Sequence, residues 1–286
     1  MRATSTLLLM ALAGFSQCAL AKDMTLRVGG FYSQSDSSID VTDPVIGEDF
    51  RLDFESDLQL AENQFLPFIE FEYAFGDRHN FYLDWKRLHR SAETNAVTRP
   101  FDVQIDDTVY SVKAGGQLNT TLNIDVLRLG YGYDLLQGDN YSLGITLGLH
   151  TMFIESVFEG AIGACLATEL DGDLCSQRPI PRIVENSVTA PLPDIGLIGH
   201  YEFLPGWRFS AHGQYFAIKL DDLDGSLTDI RAGVSADLGE SWSLSLAYNY
   251  YKVDVDVTQS AENIKVADYN IFYKFVGPMI SVSYRF

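Results

Sequence analysis

From Met24 onward, apolar and polar residues alternate with a period of two along most of the chain. In 226–238, Thr228, Ile230, Ala232, Val234, Ala236 and Leu238 share one face, while Arg231, Gly233, Ser235 and Asp237 share the other. In 207–217, Trp207, Phe209, Ala211, Gly213 and Tyr215 oppose Arg208, Ser210, His212 and Gln214. The same rhythm runs through 127–135, 242–250 and 50–58, where Leu129 and Tyr131 oppose Arg128 and Gly130, Leu244 and Leu246 oppose Ser243 and Ser245, and Leu52 and Phe54 oppose Asp53 and Glu55. A period of two places successive side chains on opposite faces of a strand, whereas a helix repeats every 3.6 residues. Each apolar face is about nine to eleven residues long, enough for a tilted strand to cross a membrane. A soluble sandwich also alternates. Charge on the second face, with aromatic residues at the segment ends (Phe75, Phe81, Tyr133, Tyr141, Phe203, Trp207, Trp242), selects a transmembrane barrel, whose lipid face ends in aromatic girdles.

The fold expected is therefore all-β, a transmembrane antiparallel up-and-down β-barrel with short periplasmic turns and long extracellular loops. Gly76–Asn80, Gln137–Asn140, Leu204–Gly206 and Gly239–Ser241 read as tight turns, and 155–190 as a long polar loop. Strands are predicted at 24–34, 48–58, 65–75, 81–91, 102–116, 121–136, 141–154, 191–203, 207–220, 226–238, 242–257 and 266–286. An even number returns both chain ends to one side. Twelve staves put the tight turn at 76–80 outside. The alternative of ten, with 48–58 and 102–116 as loop extensions, puts it on the periplasmic side. At Gly277-Pro278 the apolar face changes parity, which predicts a bulge.

Charge and the N-terminal residues narrow the setting. Residues 1–21 read as a signal peptide, with Arg2 at a short positive start, an apolar stretch from Thr6 to Phe15, and Ala19-Leu20-Ala21 before a cleavage at Lys22. Residues 22–286 then form a single barrel domain. Phe15-Ser16-Gln17 before Cys18 does not resemble a lipobox. The chain of 286 residues carries 20 Lys+Arg against 39 Asp+Glu, a net charge of −19. That balance excludes a nucleic-acid binder that works by phosphate neutralisation. With 47% hydrophobic and 13% aromatic residues, disorder is excluded too.

The final residues Ile280-Ser-Val282-Ser-Tyr284-Arg-Phe286 form an amphipathic strand closing on an aromatic. This end resembles the recognition signal of Gram-negative outer-membrane barrels, and Leu26-Arg-Val-Gly-Gly-Phe-Tyr32 is similar to the first strand of OmpA- and OmpW-like barrels. The resemblance covers the mature chain as an architecture. It implies export to the outer membrane, an assembly signal at Tyr284 and Phe286 read by the barrel-assembly machinery, and contact with outer-membrane lipid and lipopolysaccharide.

Candidate chemistry lies on the inward faces. With Phe203 opposite Trp207, Glu202 faces Arg208 and His200 faces Ser210; with Phe75 opposite Phe81, Glu70 faces Lys86. Arg128, Arg231, His150 and His212 share the inward parity. These groups read as a lumen network of ion pairs that stabilises a narrow barrel, with a charged, solute-filtering constriction as the functional alternative. No HxxxH or HExxH spacing occurs, so neither a metal nor another cofactor is expected. Asp221-Asp222-Leu-Asp224-Gly225 lacks the remaining ligands of a calcium loop. Cys165 and Cys175, in an oxidising compartment, are expected to form a disulfide contributing roughly 2–3 kcal/mol to loop order. The expected function is that of a non-enzymatic outer-membrane barrel, either a narrow porin-like channel for small solutes or a structural, surface-contact barrel. The alternative is an outer-leaflet lipid hydrolase built on His89 and Ser91, which share a face on which the sequence offers no obvious acidic third member.

Overall fold

The computed structural model describes residues 24–42, 49–97, 100–105, 108–166, 179–220, 223–261 and 264–286. The signal-peptide expectation thus lies outside the described residues. The strands are β1 (Met24–Thr42), β2 (Asp49–Asp53), β3 (Asn63–Phe75), β4 (His79–Thr94), β5 (Phe101–Ile105), β6 (Thr108–Val112), β7 (Leu118–Gln137), β8 (Tyr141–Leu166), β9 (Ile180–Leu204), β10 (Trp207–Leu220), β11 (Leu223–Asp237), β12 (Trp242–Ala261) and β13 (Ile264–Arg285). All pair antiparallel in one sheet. Ten of them close a barrel in the order β1, β3, β4, β7, β8, β9, β10, β11, β12, β13, with β13 pairing back onto β1. The last residue meets the first strand, where the Phe286 N–H donates to the Met24 carbonyl at 3.0 Å.

The ring is the ten-stave alternative, with 48–58 and 102–116 outside it. Strand forms in both stretches: β2 lies on the far end of β1, and the β5–β6 hairpin continues the sheet beyond β8. Both segments are too short to span a bilayer, which needs about nine residues or more. A correction concerns 155–190. Much of it is strand, since β8 and β9 run on to pair Ile162 with Ile180.

Which face carries the apolar side chains inverts partway up the barrel. Near the short turns they point outward: Leu127, Leu129 and Tyr131 on β7 are 37%, 49% and 40% exposed. Further along the same strand they point inward, and Leu122, Ile124 and Val126 are at most 2% exposed. On β12, outward Leu244, Leu246 and Tyr248 give way to inward Tyr251 and Val253; on β13, outward Ile280 and Val282 give way to inward Phe275 and Tyr273. A strand in lipid hides its polar face in the lumen, and a strand in water hides its apolar face there. The lower half is thus built for hydrocarbon and the upper half for water. This inversion, and not the predicted bulge, explains the parity change at Gly277-Pro278. The β12 register passes through without a slip, pairing Asn249 with Gly277 and Tyr248 with Pro278. Gly277 serves close approach instead, since a Cβ there would drive into the Tyr32 carbonyl.

Candidate functional site

A layer of charge sits inside the barrel where the two halves meet. Glu70 on β3 accepts from Arg27 of β1 at 2.7 Å and from Arg231 of β11. Lys86 of β4 reaches across to Asp229 of β11 at 3.1 Å, and Arg128 of β7 pairs with Asp84 of β4 at 3.0 Å. Asn249 of β12 links two of these groups, donating to Asp229 at 3.1 Å and accepting from Arg231 Nε at 3.0 Å. His150 Nδ1 lies 3.2 Å from Asp194, and His212 Nε2 lies 3.7 Å from Asp229. Asp229 and His150 are almost completely buried. Buried charge persists when paired and hydrogen-bonded, and Glu70, Asp229 and Arg231 are held in that way, whereas Asp194 has only the His150 ring beside it and neither group makes a hydrogen bond.

Glu70, Lys86, Arg128, His212 and Arg231 therefore meet in one layer, but Glu70 does not face Lys86. The hairpin pairs Phe75 with His79, Glu70 with Asp84 and Phe68 with Lys86, two residues from the expected register. Gly76 adopts a left-handed φ of 65°, so the chain reverses directly after Phe75, and His79 stacks on that ring at 5.3 Å. In the other hairpin Glu202 lies opposite Arg208 and His200 opposite Ser210 as expected, but Trp207 pairs with Leu204 and not Phe203, because the register shifts between Trp207 and Arg208. The side chains of Glu202 and Arg208 nevertheless do not pair: the Glu202 carboxylate turns to the Gly206 N–H at 3.2 Å. Arg27, Asp84, Asp194, Asp229 and Asn249 were not singled out from the sequence. Their parity marks them as inward, but only the circular strand order brings β1, β4, β9, β11 and β12 to one layer.

Above the charge layer the lumen is filled with hydrocarbon. Phe54 and Leu58 (both 0% exposed) and Leu60 fold in from the segment after β2, onto inward residues such as Leu122, Met152, Leu227 and Phe275. Polar bonds hold this segment down. Glu55 accepts from the Ser37 N–H at 2.9 Å and the Ser37 hydroxyl at 2.7 Å, and pairs with Arg90. Thr94 Oγ1 donates to the Leu58 carbonyl at 2.8 Å. Below the charge layer lies a polar cup of about 470 Å³, lined among others by His200, Glu202, Arg208 and Ser210. It opens at the end that carries the short turns, the periplasmic end of such a barrel.

On the outer face, just above the lipid-facing residues, Asp125 of β7 accepts from Trp85 Nε1 at 3.1 Å and lies 2.8 Å from His89 Nε2. An acid thus does reach the face shared by His89 and Ser91, supplied by the neighbouring strand. Arg87 Nε donates to His89 Nδ1 at 3.1 Å, so both ring nitrogens are engaged and neither is directed at a serine. Cys165 pairs with Val109 in the sheet near the end of β8; Cys175 lies outside the described residues, as do Asp221 and Asp222. Asp224 takes Lys219 Nζ at 2.9 Å. Tyr284 packs between Trp242 and Phe286, with ring centroids 4.7 and 4.8 Å away, in the lower aromatic belt.

A ten-strand barrel with an outward apolar band, aromatic residues at its edge and a polar lower lumen has the architecture of an outer-membrane β-barrel. No protein-family model and no curated sequence matches the chain. Among solved structures it is similar to the outer membrane protease OmpT from Escherichia coli, with a TM-score of 0.55 and 10% identity over 95% of this chain and 99% of that one. It also aligns with the Pseudomonas putida toluene transporter TodX (TM-score 0.32, 9% identity, 92% of this chain and 90% of that one). A further alignment is to OprG from Pseudomonas aeruginosa (TM-score 0.31, 13% identity, 91% and 96%). The OmpT likeness establishes the shared architecture. The other two are too loose to carry an argument.

Proposed function

We propose that the protein is a non-conducting, non-enzymatic outer-membrane barrel whose rigid upper half serves surface contact. The observation that carries this reading is the apolar filling above the charge layer: Phe54 and Leu58 close the lumen at a level where a porin needs water. A solute path would have to cross first a layer of paired buried charge and then packed hydrocarbon. OmpT is a protease, and a hydrolytic role here would need an acid–histidine pair open to a polypeptide. His150 and Asp194 are the buried candidates, yet their side chains are 1% and 0% exposed beneath the apolar filling. The lipid-hydrolase reading is disfavoured by the engagement of both His89 ring nitrogens. The test is conductance of the purified protein in a planar bilayer. The expected result is a silent membrane, and stable ohmic steps would overturn the proposal. Deleting the segment 54–60, which carries Phe54, Leu58 and Leu60, is expected to produce conductance or frequent brief openings.

A further inference from the structure

We infer that the periplasmic cup is a binding site for a small zwitterion, an amino acid or short peptide. The argument rests on how charge is distributed around its wall. The arc β10, β11, β12, β13, β1 presents arginines and hydroxyls to the cup, among them Arg208, Ser210, Ser235, Ser245 and Ser281. The facing wall, from β3, β7 and β9, presents Glu72, Asp134 and Glu202. The cup is therefore electrically bipolar across its width, with cations and hydroxyls on one side and carboxylates on the other.

Most charge in the lumen is consumed internally, but the charge at the centre of this cup is not. Arg27 and Arg231 are taken by Glu70 at the floor, and Glu202 is turned away to the Gly206 N–H. Among the described residues, the side chains of Arg208 and Glu72 have no ion-pair partner, although the two face each other across the cup. On the strand next to Arg208, His200 also lines the cup and leaves a buried Nδ1 without a partner. Arg208 and Glu72 are half-buried in the wall of the cup, and a ligand carrying both signs gives each of them a counter-charge at once. A guanidinium is suited to take a carboxylate in a forked, two-bond contact, and a carboxylate to take an ammonium. The serine wall supplies donors and acceptors for an intervening peptide amide. A cup of about 470 Å³ falls within the range of small-ligand sites. Its floor is the charge layer, so a ligand enters and leaves from the same side. The site is a receptor and not a passage, and it does not depend on whether the upper lumen conducts.

The experiment is isothermal titration of the full barrel, folded in detergent micelles, with L-alanyl-L-alanine, its N-acetyl derivative and its C-terminal amide. The free dipeptide is expected to bind, with each blocked form at least tenfold weaker. Arg208→Gln is expected to weaken the free dipeptide at least tenfold while leaving the amide unchanged. Glu72→Gln does the same for the free dipeptide and spares the N-acetyl form. Heat-modifiable gel mobility confirms that each variant is folded, and Arg208→Lys is expected to retain part of the affinity. Absence of binding heat at about 10 mM dipeptide, where a millimolar site is mostly filled, would overturn the inference. Equal binding of the free and blocked forms would overturn it as well.

Discussion

Glu70 and Glu202 differ in what their neighbours offer, although both are inward carboxylates next to a hairpin. Glu70 holds two guanidiniums, those of Arg27 and Arg231, in the charge layer. Glu70→Gln removes the shared counter-charge and leaves two partly desolvated cations. The expected loss is about 3 kcal/mol, read from urea unfolding in detergent. Glu202 and Arg208 face each other in register but do not touch. A double-mutant cycle of Glu202→Gln and Arg208→Gln is expected to be additive within about 0.5 kcal/mol. Non-additivity beyond that would mean the two side chains pair in solution. Register thus fixes which residues are opposite, while rotamer choice and competing donors, here the Gly206 N–H, decide which of them bond. The sequence made the first legible and not the second.

At the scale of elements, the strands were legible because alternation is a local property. Every predicted segment carries strand, and the short turns after β3, β7, β9 and β11 fall where Gly, Pro, Asp and Asn cluster. What alternation leaves open is which face is wet. A strand that is apolar outside in lipid and one that is apolar inside in water read alike, so the flip within β7, β12 and β13 was legible only as a parity change at Gly277. The length of β8 and β9 was missed for the same reason. Charged outward residues such as Glu155 and Glu159 suggested a loop, while Phe158, Ile162 and Val184 turn inward onto the core. This upper core is a separate source of stability. Phe54→Ala empties a fully enclosed site and is expected to cost about 3–5 kcal/mol, read from urea unfolding, with the lower barrel still assembled. The bridge expected between Cys165 and Cys175 belongs to this half too. Mass spectrometry of unreduced envelope protein is expected to show the two joined, and alkylation of both without prior reduction would dismiss it.

For the whole molecule, the two halves divide labour. The lower half supplies the lipid contact and the cup, and the upper half stands in water around its own core. Removing Phe286 takes away one ring of the Trp242–Tyr284–Phe286 stack and the N–H that closes onto Met24. Its deletion is expected to lower the amount of heat-modifiable protein in outer-membrane fractions. The inversion of the strands also sets a waterline. A cylinder with uniformly greasy sides could bob in a bilayer, but this one cannot. Sinking by two residues, roughly 7 Å along a strand, would carry Arg87, His89 and Asp125 toward hydrocarbon, and rising by as much would bare Leu127 and its neighbours to water. Above that line β8 continues for about a dozen residues, or roughly 30 Å of height after allowing for tilt. The barrel therefore floats at one fixed draught and carries its tips as a stiff mast clear of the lipid headgroups, at a height set by the order of residues along its strands.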